Sequence, residues 1–257
     1  LFVGEADMKR LTLLLVCLAV QYGSYAQSKL KEMNVDMPDE TEETSTLDKG
    51  EWQVETAMLL DKYYDGGTSA IGQAMVKYGV SDKLELRLLV EEGRNRTRYM
   101  DETVQATYPL SLSAKVKLLE DQPVLPDISL VTYLELPLLA HNRVQKQYWS
   151  PIVLLAFKNE FGEKWKLDYN VGLQQEPEST EWVWLGATSL HYKVTEHWEV
   201  FGEYFAQYQG GEEPQHNVGL GIAWQLNNHF ELYGAAGSSV NYTEYNRFVN
   251  AGLAVRL

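Results

Sequence analysis

Apolar and polar residues alternate along most of this chain. In the clearest run, Trp165-Lys166-Leu167-Asp168-Tyr169-Asn170-Val171-Gly172-Leu173-Gln174, one face reads Trp, Leu, Tyr, Val, Leu and the other Lys, Asp, Asn, Gly, Gln. Successive side chains of a strand point to opposite faces, so a period of two predicts a strand with one apolar and one polar side. The same period recurs in Leu84 to Val90, Leu110 to Leu118 and Val218 to Leu226. Such runs predict about twelve strands, near 49–60, 69–80, 83–92, 109–119, 127–137, 150–161, 164–175, 181–194, 197–209, 216–226, 229–242 and 245–257.

The predicted connections alternate in length. Short turns fall at Val80 to Lys83, Gly162-Glu163, Thr195-Glu196 and Asn227-Asn228, and longer polar loops near 61–68, 93–108, 138–149, 176–180 and 210–215. Short turns at one end and long loops at the other are the build of an outer-membrane barrel, and an even strand count puts both barrel termini on one side. The expected fold is therefore all-β, an antiparallel transmembrane up-and-down β-barrel of the outer membrane with about twelve strands. Aromatics fall at the expected interfaces: Trp52, Trp165 and Trp198 at strand starts, and Tyr148, Trp149, Trp182, Trp184, Tyr208 and Tyr242 at the loop ends. A soluble sandwich would bury Lys115, Lys117, Lys166, Asp168, Glu199 and Glu203 in its core, whereas a barrel turns them into a polar lumen at lower desolvation cost.

Segments outside the barrel read differently. Residues 1–7 carry Glu5 and Asp7 and read as upstream sequence from a misassigned start. Met8-Lys9-Arg10, the apolar run Leu11 to Val20 and the small-x-small site Ser24-Tyr25-Ala26 read as a signal peptide over 8–26, cleaved after Ala26. The apolar run is too short for a membrane-spanning helix. Cys17 is the one cysteine, and a bulky Val16 before it argues against a lipoprotein box. Residues 27–48 hold Asp36, Asp39, Glu40, Glu42, Glu43 and Asp48 without periodicity, and read as a flexible acidic periplasmic lead-in to a barrel over 49–257.

The formal net charge is −14, which excludes a basic nucleic-acid footprint. Alternation assigns these candidates to the lumen face: Glu55, Glu85 and Arg87; Lys115, Lys117, Tyr133 and Glu135; Lys166, Asp168, His191 and Lys193; Glu199, Glu203, Glu231, Tyr233 and Arg256. With both signs present, they either satisfy one another and fill the barrel or line a pathway and set its selectivity. Gly219 and Gly221 on that face leave room for a ring such as Tyr233 or for a permeant. His141 and Ser150 bracket a loop without an orienting third group, and the five histidines lack metal-ligand spacing, so no catalytic residue, metal or cofactor is assigned. Arg94, Arg96 and Arg98 form a basic loop run, either solvated or able to touch lipopolysaccharide phosphates.

Four stretches carry a family resemblance: Lys49-Gly50-Glu51-Trp52-Gln53-Val54-Glu55-Thr56, Lys77-Tyr78-Gly79-Val80-Ser81-Asp82-Lys83-Leu84-Glu85-Leu86-Arg87, Trp165 to Gly172, and Asn250-Ala251-Gly252-Leu253. Together, over about residues 47–257, they resemble the bacterial outer-membrane family described as "putative meta-pathway of phenol degradation" or simply "transporter". The resemblance implies a twelve-stranded barrel and passage of small solutes, aromatic or apolar ones among them. The alternatives are a non-permeating barrel with an ion-paired lumen and, third, an outer-membrane hydrolase. The closing stretch 250–257 matches the C-terminal signal by which such barrels engage the assembly machinery, with Leu257 where Phe is usual. The expected surroundings are outer-membrane lipid and lipopolysaccharide.

Overall fold

The computed structural model describes residues 30–37, 39–96, 103–136, 148–176, 180–240 and 246–257. The expected signal peptide with its cleavage point, the residues before it, Arg98, His141 and Tyr242 lie outside the described residues. The strands are β1 (Trp52–Tyr63), β2 (Thr68–Ser81), β3 (Leu84–Arg96), β4 (Thr103–Thr107), β5 (Leu110–Leu119), β6 (Asp127–Leu136), β7 (Ser150–Phe161), β8 (Trp165–Gln175), β9 (Trp182–Lys193), β10 (Trp198–Gln209), β11 (Gln215–Asn227), β12 (Phe230–Val240) and β13 (Asn246–Arg256).

From β5 onward, sequence neighbours pair antiparallel as far as β13, which pairs with β1; the β1–β2, β2–β3 and β3–β5 ladders complete the ring. β4 and β5 share one position, both lying against β3, with Tyr108-Pro109 between them. Proline has no N–H for the ladder, so the strand is interrupted there and resumes. The thirteen segments thus make a closed twelve-stranded barrel. Closure pairs the strands around the ring, the condition for placing sheet in hydrocarbon.

Several strands run further than their apolar letters predict. β1 continues to Tyr63 and β3 to Arg96, through stretches read as loop, because Asp61 and Asn95 keep the period of two on the lumen side. Outside, Leu86, Leu88, Val90, Leu112, Val153, Val171, Leu190, Leu220, Ile222 and Val249 are exposed and form the apolar belt. Aromatic pairs stand across neighbouring strands at the end where the barrel begins and closes: Trp52 with Tyr78, Trp165 with Tyr192 and Trp198 with Trp224, at 4.5, 4.6 and 5.1 Å between ring centroids. Trp182, Trp184 and Tyr208 are exposed at the opposite, loop end. These are the two girdles that a bilayer's interfaces favour.

The seam between β1 and β13 is packed closely at Gly252. A Cβ there would stand 2.3 Å from the Thr56 carbonyl oxygen and 2.4 Å from the Tyr233 ring, whose hydroxyl donates to that same carbonyl at 3.1 Å. Gly252→Val is therefore expected to destabilise the closed barrel by about 1–3 kcal/mol. The measurement is the urea midpoint at which the heat-modifiable fast-migrating gel band is lost; an unchanged midpoint would show that the seam has slack.

Candidate functional site

The inner face of the barrel is polar, and its charges need partners. In the half nearest the barrel termini stand Lys77, Arg87, Lys115 and Lys166, each with a side chain at most 8% exposed. Leaving such cations buried and unpaired would cost several kcal/mol each. Their partners come from the acidic stretch before β1. Residues 32–37 and 39–48, expected as part of a flexible solvated lead-in, instead run through the lumen, and Met33, Val35, Asp36, Met37, Thr44 and Leu47 are buried there. The physical reason for the difference is complementarity between an acidic tail and a ring of inward cations.

Asp36 is the centre of the set. Its carboxylate takes Lys77, lies 2.9 Å from an Arg87 Nη and 2.7 Å from Lys115 Nζ, and so joins β2, β3 and β5. Glu42 receives the other Arg87 Nη at 2.8 Å and the Tyr133 hydroxyl. Glu43 pairs with Lys166, and Glu32 with Lys193 at the rim. Barrel carboxylates complete the network: Glu55 stands 2.9 Å from Lys77 Nζ, and Glu85 2.6 Å from Arg87 Nε.

An extended segment in the lumen must also satisfy its backbone, and here side chains replace a sheet partner. Glu55 accepts the amides of Asp36 and Met37 at 3.0 and 3.1 Å, Glu85 that of Leu47 at 2.8 Å, and Glu203 that of Glu40 at 3.0 Å. Asn170 holds residue 42 from both sides, accepting its amide at 2.6 Å and donating to its carbonyl at 2.9 Å. Gln53 donates to the Asn34 carbonyl, Ser129 to that of Thr44, and Arg256 to that of Glu32.

The remaining sequence candidates are placed as follows. His191 meets Glu199 at 2.8 Å, and its other ring nitrogen lies 3.5 Å from Asp39 and 3.6 Å from Asp168. Lys117 pairs with Glu120 at the rim, Glu231 is buried, and Tyr233 lies over Gly252. Glu135 lies near the loop end, opposite Ser111 and Ser150 in the sheet. The room at Gly219 and Gly221 is taken by Glu203 and the Phe201 ring, not by Tyr233. Ser150 is buried and donates to the Gln175 carbonyl at 2.6 Å. Alternation in β2 could have revealed Lys77, which shares a face with Gln73 and Met75. No local signal marks Asp36, Glu42 and Glu43 as lumen residues; only the excess of acids ahead of a cation-bearing barrel hints at it.

Between the segment and the loop end, the described residues leave two cavities. One cavity of about 260 Å³ is walled by Leu89, Ile152, Leu154, Leu185 and Phe205 over a polar floor of Glu42, Tyr133 and Asn170. A second, of about 250 Å³, shares Glu40, Glu42, Leu89 and Phe205 with it and adds Asp39, Asp61, Glu203, Phe248 and Asn250.

Burial raises the Asp36 carboxyl, but Arg87, Lys115 and Lys77 outweigh it and hold it well below the usual range. Glu40, whose side chain is exposed to the two cavities, moves the other way: loss of bulk water inside the barrel first, then Asp39, Glu91, Asp61 and Glu42, push it up to about 7. Removing Asp36 takes a shared partner from three buried cations and leaves Lys115 with Glu42 at 3.5 Å, so Asp36→Ala should loosen the segment by about 3–5 kcal/mol. In a Cys17→Ser background, the Thr44→Cys variant should resist maleimide and become reactive when Asp36→Ala is added. The pH response is set by sign. The docked segment retains a proton on Glu40 that a released one gives up above the ordinary carboxylate pKa, so docking weakens as pH rises from about 4.5 through 7. Maleimide reactivity of the Thr44→Cys variant should rise over that window, and Glu40→Gln should flatten the rise.

Comparison with known proteins follows the fold. An outer membrane channel from Pseudomonas putida F1 superposes with a TM-score of 0.65 at 15% identity, covering 83% of this chain and 98% of that one. The NanC porin gives 0.56 at 6% identity over 79% of this chain and 100% of its own. The KdgM porin, in complex with a disordered oligogalacturonate, gives 0.55 at 7% over 78% and 98%. At these identities the likeness is one of fold. No functionally curated protein matches the chain. The family model described as "Putative MetA-pathway of phenol degradation" matches residues 35–257, taking in the lumen segment from Val35 as well as every strand, and the chain belongs to that family.

Proposed function

We propose that this barrel is an outer-membrane channel for small solutes, aromatic or apolar ones among them, and that residues 32–48 constrict it. The observation that carries this reading is the way the segment is held. It contributes no strand to the ring; side chains and ion pairs retain it, beside cavities of about 260 and 250 Å³ that continue the lumen toward the loop end. A barrel built to be solid would fill that space with side chains, as small barrels do. Inward candidates such as Glu135, Glu203, Glu231 and Arg256 then line the route or hold its constriction, and the alternating girdles set the barrel upright with the long loops outside. The solved channel and porins of like fold support this class of function, and the family assignment supports the solute class.

The second reading, a non-permeating barrel, is favoured by one observation: the ion-paired network around Asp36 closes the terminal half. Planar-bilayer conductance of the full chain and of a variant lacking residues 32–47 decides between them. The expected result is a small, flickering conductance for the full chain and a several-fold larger one for the deletion. A correctly folded deletion variant that passes no current at any voltage would overturn the channel reading.

A further inference from the structure

Charge is segregated along the lumen. The inward Lys and Arg side chains among the described residues stand in the terminal half. There Lys77, Arg87, Lys115 and Lys166 meet the 32–48 segment, and Lys117 and Lys158 meet rim carboxylates. Neither cavity toward the loop end is lined by a Lys, Arg or His side chain among the described residues. Asp39, Glu40, Asp61 and Glu203 line the second cavity. Asp61 accepts from the Ser69 hydroxyl at 2.9 Å and Glu203 from the Glu40 amide, both neutral donors. Asp39 Oδ2, on a side chain 4% exposed, has no hydrogen-bond partner among the described residues and stands 3.5 Å from His191 Nε2.

Acids alone would attract any cation, including a hydrated metal ion. The walls narrow the choice. Phe205 and Phe248 face the same cavity with centroids 5.8 Å apart and planes tilted by 53°. Phe248 is the cross-strand partner of Asp61, and Phe205 lies two residues along β10 from Glu203, on the same face. Aromatic faces beside carboxylates attract a weakly hydrated organic cation through the ring quadrupole as well as through charge. Phe205 also belongs to the apolar wall of the adjoining cavity, with Leu89, Ile152, Leu154 and Leu185. A ligand seated across both spaces meets carboxylates and rings at one end and aliphatic side chains at the other.

We infer that the cavity above the 32–48 segment is a binding site for a small amphipathic organic ammonium. Its cationic head lies among Asp61, Glu203 and the Phe205–Phe248 pair, and its apolar body lies against Leu89, Leu154 and Leu185. This rests on the channel reading only for its place on a permeation route; binding itself needs no open pore.

The test is therefore made on folded protein in detergent micelles by isothermal titration. Benzyltrimethylammonium is the probe, with benzyl alcohol and benzoate as neutral and anionic controls of similar ring size. Benzyltrimethylammonium should bind at least ten-fold tighter than either control. Asp61→Asn with Glu203→Gln, which keeps the acceptor for the Glu40 amide, should remove most of that preference. Phe205→Leu should weaken the ammonium several-fold while leaving benzyl alcohol within two-fold. Heat-modifiable gel mobility confirms that each variant is folded, and Asp61→Asn alone, near the barrel mouth, serves if the double variant is not. Equal affinity for the ammonium and benzyl alcohol, or an unchanged preference in the folded carboxamide variants, would overturn the site. Binding without conductance in the bilayer experiment would instead overturn the channel and leave the site standing; conductance with no ammonium preference would do the reverse.

Discussion

The Asp36 carboxylate, shared by Lys77, Arg87 and Lys115, is the interaction on which the interior of this protein depends. A transmembrane barrel turns its polar face inward, and three inward cations on neighbouring strands repel one another in a space of low dielectric. Glu55 and Glu85 of the ring supply part of the neutralising charge, and the rest comes on a segment that arrives ahead of β1. Once Asp36 is seated, Glu42 and Glu43 fall beside Arg87 and Lys166, and the backbone between them is taken up by Glu55, Asn170 and Glu203. The lumen segment is thus held as a ligand is held, by side chains aimed at its charges and amides.

That arrangement divides the lumen into two halves. The terminal half is filled and its cations are paired, while the loop half keeps cavities, apolar walls on β3, β7, β9 and β10, and carboxylates without an inward Lys or Arg among the described residues. The outer face shows no such division. It carries one apolar belt between two aromatic girdles, because lipid imposes the same demand on every strand. What faces lipid is uniform around the ring, and what faces the lumen is individual to each strand.

Much of the barrel could be read from residue order, and for a simple reason. Trp165 to Gln174 alternates because lipid and lumen stand on opposite sides of one strand, so the fold is written locally with a period of two. The strand ends were harder. Asp61 and Asn95 look like loop residues, yet they extend β1 and β3, because a polar letter on the lumen side carries no sign of where the strand stops. β4 also lies in a stretch read as loop, because Pro109 removes a ladder donor and separates it from β5. Within the site, alternation placed Arg87, Lys115 and Lys166 on the inner face but could not name their partners. Those partners lie far off in sequence; Lys166 and Glu43 are 123 residues apart.

The sequence alone determined the class of fold, the face on which each strand residue lies and the membrane-like exterior, since these follow from alternation between adjacent residues. Only the tertiary structure decided that an aperiodic acidic stretch would occupy the lumen, that Asp36 would meet three cations, and that the remaining space would lie among carboxylates and the Phe205–Phe248 pair. Those outcomes depend on which strands the closed ring brings opposite one another, and charge complementarity across a lumen leaves no periodic mark along the chain.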